Sequence, residues 1–245
     1  MKLGKIIAIS LAISLISIEP PAASAQLKDF LKSIGEALSG RELSESKIIR
    51  GLKEALQIGT GNAVQIVSRV DGYNKSPKIR IPLPEGVQKV EKLLRAVGYG
   101  SRVDAFELSM NRAAERAAPE AKAMFVSAIK QMTFTDAKKI LQGRDNEATL
   151  YFEEKTRGRL HEVFRPIVHS AMSEVGVTRW YRELEEKVRS IPFTGSLKVD
   201  LDRYVTDKAL DGLFFVVAEE ERKIRQDPAA RITDLLKEVF GGKAD

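Results

Sequence analysis

The sequence predicts an all-α protein, a single multi-helix, bundle-like domain of roughly eight to ten helices after a cleaved signal peptide. Apolar residues recur at helical spacing along most of the 245 residues. Capping residues, glycine and proline bound the resulting segments. Residues 78–81 alternate polar and apolar side chains, but no second strand pattern is available to pair with them.

The first 25 residues predict a secretory signal peptide. Lys2 and Lys5 precede an apolar run over residues 6–18, and small residues at 22–25 place cleavage between Ala25 and Gln26. The run would span roughly 20 Å as a helix, which is short of the ~30 Å hydrocarbon core. We therefore expect an exported protein, periplasmic in a Gram-negative cell and otherwise secreted, with no transmembrane span in residues 26–245.

The first part of the mature chain predicts a short amphipathic segment over residues 27–38 and then a longer helix with Ser44 as its N-cap. Gly59-Thr60-Gly61 weakens that helix at its middle, and residues 63–70 resume it. Residues 71–86 contain three prolines, which predict an ordered loop.

Helical signals continue from residue 101 onward. Ser101 with Asp104, and Thr133 with Asp136, predict capping boxes. Pro119 is typical of a first helical residue, and Pro166 predicts a kink or a boundary. A helix precedes Pro192, and residues 210–224 predict a long, central helix that is apolar nearly all round. A last helix follows Asp227-Pro228.

Composition narrows the chemistry. The chain is 43% hydrophobic and 30% charged, which excludes disordered, collagen-like and mucin-like classes. It has no cysteine, so disulfides, Cys-ligated zinc, iron–sulfur clusters and a thiol nucleophile are excluded. We expect no cofactor and no metal. His161 and His169 lack the usual metal spacing, and the run Glu219-Glu220-Glu221 predicts solvated helix residues.

A net charge of +6 and a pI near 9.4 suggest an anionic partner. Export makes nucleic acid improbable, which leaves anionic lipid, acidic glycans or an envelope protein. The basic residues that could form such a surface are Lys155, Arg157, Arg159 and Arg165, with Lys138, Lys139 and Arg144. A solvated face is the favoured interpretation of this cluster.

Two further residue sets are candidate ligand surfaces. A polar stripe at helical spacing could line a groove, although the outer face of an amphipathic helix is favoured. It comprises Asp104, Glu107 or Leu108, Asn111 and Glu115, beside Arg112 and Arg116. Aromatic residues could line an apolar pocket, although plain core packing is favoured. These are Trp180, Tyr181, Tyr204, Phe214 and Phe215.

Several motifs together resemble a bacterial family filed as domain of unknown function 4197. The resemblance covers residues 43–240 and implies an exported helical protein, with no catalytic residues to transfer. The motifs are FELSMNRAAE at 106–115, APEAK at 118–122, TDAKKIL at 135–141, KALDGLF at 208–214, AEEE at 218–221 and DPAAR at 227–231.

Three functional hypotheses follow. The first is a non-enzymatic binding or scaffolding protein of the cell envelope, because no catalytic set is assembled. The second is a carrier of a lipid or other small apolar ligand in an inter-helix pocket. The third is a hydrolase that uses paired carboxylates, such as Asp207 and Asp211, although acids at a helix start suit the helix dipole equally well.

Overall fold

The computed structural model describes residues 45–174, 176–189 and 199–226, which belong to a compact unit that begins at Glu45. No strand occurs among these residues, so the predicted all-α class is confirmed. The helices are α1 Glu45–Ser68, α2 Glu85–Ala96, α3 Gly100–Ala117, α4 Ala121–Gln131, α5 Phe134–Gln142, α6 Glu147–Glu174, α7 Val177–Arg189 and α8 Leu201–Gln226. The predicted signal peptide, the Ser44 cap and the helix after Asp227-Pro228 lie outside the described residues.

Helices α3 and α4 form one rod, because they are joined only by a 3-10 turn, Ala118–Glu120. Pro119 lies within this turn and does not open a separate helix. A proline has no N–H, and the first positions of a helical turn leave the N–H groups unpaired in any case, so the rod tolerates it there. The described residues therefore form seven helical rods, fewer than the eight to ten predicted.

Two predicted interruptions are not boundaries. Helix α1 runs unbroken across Gly59 and Gly61, and α6 runs through Pro166. A Cβ at Gly59 would lie 3.2 Å from Cδ1 of Ile224 in α8. The glycine thus allows α1 and α8 to approach closely, and this packing offsets its low helix propensity.

Helix α8 lies at the centre of the bundle, as its apolar pattern predicted, and it contacts α1, α3 and α6. Leu210, Leu213 and Phe214 are buried. The Phe214 ring meets Phe125 of α4 edge-on, with 6.1 Å between centroids. Phe215 is exposed, so this helix is not apolar on every face.

The ordered loop predicted over residues 71–86 occupies residues 69–84, since Glu85 already begins α2. The buried Tyr73 hydroxyl donates a 2.6 Å hydrogen bond to the carbonyl of Ala209 in α8. Gly212, one turn further along α8, makes room for this ring: a Cβ there would lie 2.6 Å from Tyr73 Cε1. The loop is therefore packed into the core.

One predicted capping box is confirmed and the other is wrong. Thr133 and Asp136 bond reciprocally at the start of α5, with N–H to side-chain oxygen distances of 3.0 and 3.1 Å. Helix α3 instead begins at Gly100 with no side-chain cap, and Asp104 forms an ion pair with Arg95 at 2.8 Å.

No helix within the described ranges has the length and apolar character needed to cross a membrane.

Candidate functional site

The polar stripe of α3 faces the 69–84 loop except at Asp104, which pairs with Arg95 of α2. Asn111 and Glu115 are buried. Oδ1 of Asn111 accepts the Ile81 N–H at 2.8 Å, and its Nδ2 donates to the Ile81 carbonyl at 3.0 Å. Oε1 of Glu115 accepts the N–H groups of Tyr73 and Asn74 at 3.1 and 3.2 Å. The favoured outer-face interpretation is therefore wrong for Asn111 and Glu115, because both side chains are buried and pair with backbone groups of the loop.

The two arginines beside the stripe pair with different carboxylates. Arg112 bridges Glu115 at 2.6 Å and Asp71 of the loop at 2.7 Å. Asp71 has a φ of 67°, in the left-handed region, and Lys75, Asn74 and Arg112 lower the pKa of its carboxyl to about 2. Arg116 contacts Glu174 of α6 at 2.6 Å. Asn111, Glu115 and Arg112 thus hold the loop on the bundle.

The Glu219–Glu221 run is only partly solvated, so the prediction of solvated helix residues is wrong for Glu220 and Glu221, which are buried. The Glu221 carboxylate accepts the N–H groups of Ala148 and Thr149 at 3.0 and 2.9 Å. It also bonds Arg225 at 2.8 Å. Glu221 therefore satisfies donors that the first turn of α6 leaves unpaired.

Four α6 residues spaced four apart face aspartates of α8 and of the residue that precedes it, Asp200. Arg157 and Arg165 pair with Asp211 and Asp200 at 2.5 and 2.9 Å. The two histidines of the series pair in the same way: His161 lies 3.3 Å from Asp207, and His169 lies 2.8 Å from Asp202. Within the described ranges, no group of three or more His, Cys, Asp or Glu side chains is arranged to hold a metal ion.

Four of the five candidate pocket aromatics pack in or on the core, and Phe215 is exposed. Phe106 stacks on Tyr181 with 5.4 Å between centroids and meets Trp180 edge-on at 5.7 Å. The Tyr204 hydroxyl donates to the Pro82 carbonyl at 3.0 Å, and Phe214 is buried. This placement agrees with the favoured packing interpretation.

An open space lies between α4, α5 and α6, and we call it the α4–α6 groove. Its volume is about 580 Å³, within the ~300–1,000 Å³ range of small-ligand sites. The α4 side contributes Ala123, Met124, Ser127 and Ala128, and the α6 side contributes Tyr151, Lys155, Thr156 and Arg159. The Tyr151 hydroxyl donates to the Ala128 carbonyl at 3.0 Å, which fixes the spacing of the two sides.

The groove has a cationic side. Lys155 and Arg159 lie one helical turn apart on α6. Lys155 contacts its sequence neighbour Glu154 at 3.2 Å. Arg159 is exposed and has no carboxylate partner within the described ranges. Asp136 also lines the groove, but its carboxylate is already engaged in the capping box, and the Thr133 side chain and N–H lower its pKa.

A second cavity of about 430 Å³ adjoins the groove and shares Asp136, Tyr151 and Lys155 with it. Its buried acid, Glu147, pairs with Arg144 at 3.1 Å, and this contact lowers the pKa of the carboxyl. A general acid needs a raised pKa. Asp136 and Glu147 therefore do not resemble the acid of a carboxylate hydrolase.

Sequence reasoning identified Lys155 and Arg159 as part of a basic cluster but missed the apolar side of the groove. Ala123, Met124 and Ala128 follow ordinary helical spacing, and nothing in that spacing separates a groove wall from a core face. Among the other cluster members, Arg157 and Arg165 are engaged with α8, and Lys139 and Arg144 line the second cavity.

Comparison with known proteins places the chain in a family. Searches of curated proteins and of solved structures each returned no match. A family model described as "Protein of unknown function (DUF4197)" matches residues 42–241, close to the span of the motifs that suggested it. The chain therefore belongs to DUF4197, a family of proteins of unknown function.

Proposed function

We propose that this protein is an exported, non-enzymatic binding protein of the bacterial cell envelope and that the α4–α6 groove is its binding site. The observation that carries the proposal is a cavity of about 580 Å³ lined by a cation, Arg159, that has no carboxylate partner within the described ranges. The location in the envelope rests on the signal peptide predicted for residues 1–25.

Hydrogen bonds also hold the helices that line the groove in place. The Tyr151–Ala128 hydrogen bond joins α6 to α4, and the Thr133–Asp136 capping box fixes the start of α5. A pre-formed site loses little conformational freedom on binding, which favours affinity. These contacts support a groove that is formed before a ligand binds.

The other two hypotheses have less support. Four of the five aromatic residues considered for an apolar carrier pack in or on the core, so a carried ligand would occupy the groove and not a site among them. A carboxylate hydrolase requires acids free to exchange protons, whereas Asp207 and Asp211 pair with His161 and Arg157.

Native mass spectrometry of the protein purified from the exported fraction tests the proposal. We expect a chain that begins at Gln26 and carries extra mass that is lost on denaturation. Ser127→Trp fills the exposed groove wall and should abolish that mass. Lys122→Trp, at an exposed position of α4 that does not line the groove, should retain it. A ligand carried equally by both variants would contradict the assignment of the groove.

A further inference from the structure

We propose that the α4–α6 groove binds an amphiphile, a small molecule with an anionic carboxylate or phosphate head and an apolar tail. This inference rests on the proposed function and names the class of ligand. It depends on the contrast between the apolar α4 side and the cationic α6 side of the groove, and on which of the groove's cations are not already paired with a carboxylate.

The anionic head follows from the α6 side. Lys155 and Arg159 project from successive turns of α6, but Lys155 already contacts Glu154 at 3.2 Å, so Arg159 is the cation of the groove that remains available to an anion. The carboxylate of Asp136 accepts the hydroxyl and N–H of Thr133 at 2.7 and 3.0 Å, but it remains charged and interacts with Lys155, so the head is expected to bind at Arg159. An arginine fork binds a carboxylate or phosphate through two parallel N–H bonds, and Arg159 has that fork available.

The apolar tail follows from the α4 side. Ala123, Met124 and Ala128 line the groove opposite the two cations. A methionine side chain is flexible and polarisable, and it adapts to apolar ligands of different shapes. An inorganic anion would leave this wall exposed to water, whereas an alkyl tail would cover it and gain the free energy of apolar burial.

The second cavity is a less favourable site for an anion than the groove. It contains Lys139 and Arg144, but the Glu147 carboxylate lies 3.6 and 3.1 Å from them. Their charge is therefore largely satisfied within the protein. An anionic head should therefore prefer the groove to the second cavity.

Isothermal titration calorimetry with matched probes tests the inference. We expect dodecanoate and dodecyl phosphate to bind, and dodecanol, which has the same tail without the charge, to bind at least ten-fold more weakly. Acetate and inorganic phosphate, which supply the head alone, should also bind at least ten-fold more weakly. Dodecanol binding as tightly as dodecanoate would overturn the anionic head, and inorganic phosphate binding as tightly as dodecyl phosphate would overturn the tail.

Variants connect the binding to the named side chains. Arg159→Ala should weaken dodecanoate binding about ten-fold, which corresponds to about 1.4 kcal/mol, and Arg159→Glu should abolish it. Lys122→Ala removes an equivalent exposed charge outside the groove and should bind like the parent chain. Equal affinities for Arg159→Ala and Lys122→Ala would overturn the assignment to Arg159.

The Ser127→Trp variant separates failure of the inference from failure of the proposed function. Loss of dodecanoate binding in this variant, together with the Arg159→Ala effect, supports both. Undiminished binding shows that the groove is not the site, and both then fail. Loss in Ser127→Trp without any effect of Arg159→Glu leaves the groove as a binding site but overturns its anionic ligand class.

Discussion

Asn111 of α3 pairs with Ile81 of the loop through both faces of its amide, accepting the Ile81 N–H at 2.8 Å and donating to the Ile81 carbonyl at 3.0 Å. This is the bonding that a neighbouring strand would supply to Ile81. The alternation at residues 78–81 did not produce extended backbone throughout, because residues 77–79 form a turn and the Arg80 N–H bonds the Ser76 carbonyl at 2.9 Å. At Ile81, a buried side chain takes the place of a partner strand.

Asn111→Leu should destabilise the protein by about 2–4 kcal/mol, because it leaves a buried N–H and a buried carbonyl of Ile81 unpaired at about 1–3 kcal/mol each. Urea unfolding followed by circular dichroism measures the change. Ser101→Ala, at an exposed position of the same helix that the structure does not use as a cap, should lie within about 0.5 kcal/mol of the parent chain. An unchanged unfolding midpoint for Asn111→Leu would show that this pairing contributes nothing.

Glu221→Ala should lower the free energy of unfolding by about 2–4 kcal/mol, since the N–H groups of Ala148 and Thr149 lose their acceptor and Arg225 loses one of its contacts. Glu219→Ala is a matched control two positions earlier in the same helix. Its carboxylate pairs with exposed Lys78 at 3.0 Å, and exposed pairs contribute about 0–1 kcal/mol. Comparable losses from the two variants would contradict the capping role of Glu221.

Acid should weaken the anchor of the loop. The pKa of the Asp71 carboxyl is lowered from 3.8 to about 2, first by the Lys75 hydrogen bond and then by Asn74 and Arg112. A lowered folded-state pKa means that the charged form stabilises the fold above pH 4 and that this contribution is lost as the pH falls to about 2. Asp71→Asn should make the free energy of unfolding depend less steeply on pH between pH 4 and pH 2.

Asparagine suits this test because it tolerates the left-handed φ of 67° at position 71. Asp145→Asn, at an exposed position without an ion partner in the described ranges, should follow the parent curve between pH 4 and pH 2. A parent curve no steeper than that of Asp71→Asn would remove Asp71 as a source of acid sensitivity.

Two glycine substitutions should have opposite signs. Gly212→Ala places a Cβ 2.6 Å from Tyr73 Cε1 and 3.1 Å from Ile79 Cβ, and such overpacking costs about 1–3 kcal/mol. Gly158→Ala in α6 meets nothing within 4 Å and should stabilise its helix by about 0.5–1 kcal/mol. Thermal unfolding of the pair distinguishes them, and a stabilised Gly212→Ala would refute close packing of the loop on α8.

The sequence by itself determined the helical class, the loop at residues 71–86 and the capping box at Thr133–Asp136, because each depends on local spacing or on bonds between residues three or four apart. The central position of α8 could also be predicted from the sequence, since a helix that is apolar on most faces needs neighbours around it. The family assignment rested on motifs that the family model matches over residues 42–241.

Tertiary structure decided which polar residues are buried and where the groove opens. Asn111, Glu115, Glu220 and Glu221 follow the same spacing as solvated residues, and only the loop, α6 and α1 that approach them make them interior. Gly59 and Pro166 were locally unfavourable to helix, yet packing against neighbouring helices outweighed a penalty of about 1–3 kcal/mol each. The groove joins residues of α4 and α6 that lie about thirty positions apart, and helical periodicity carries no information about such a meeting.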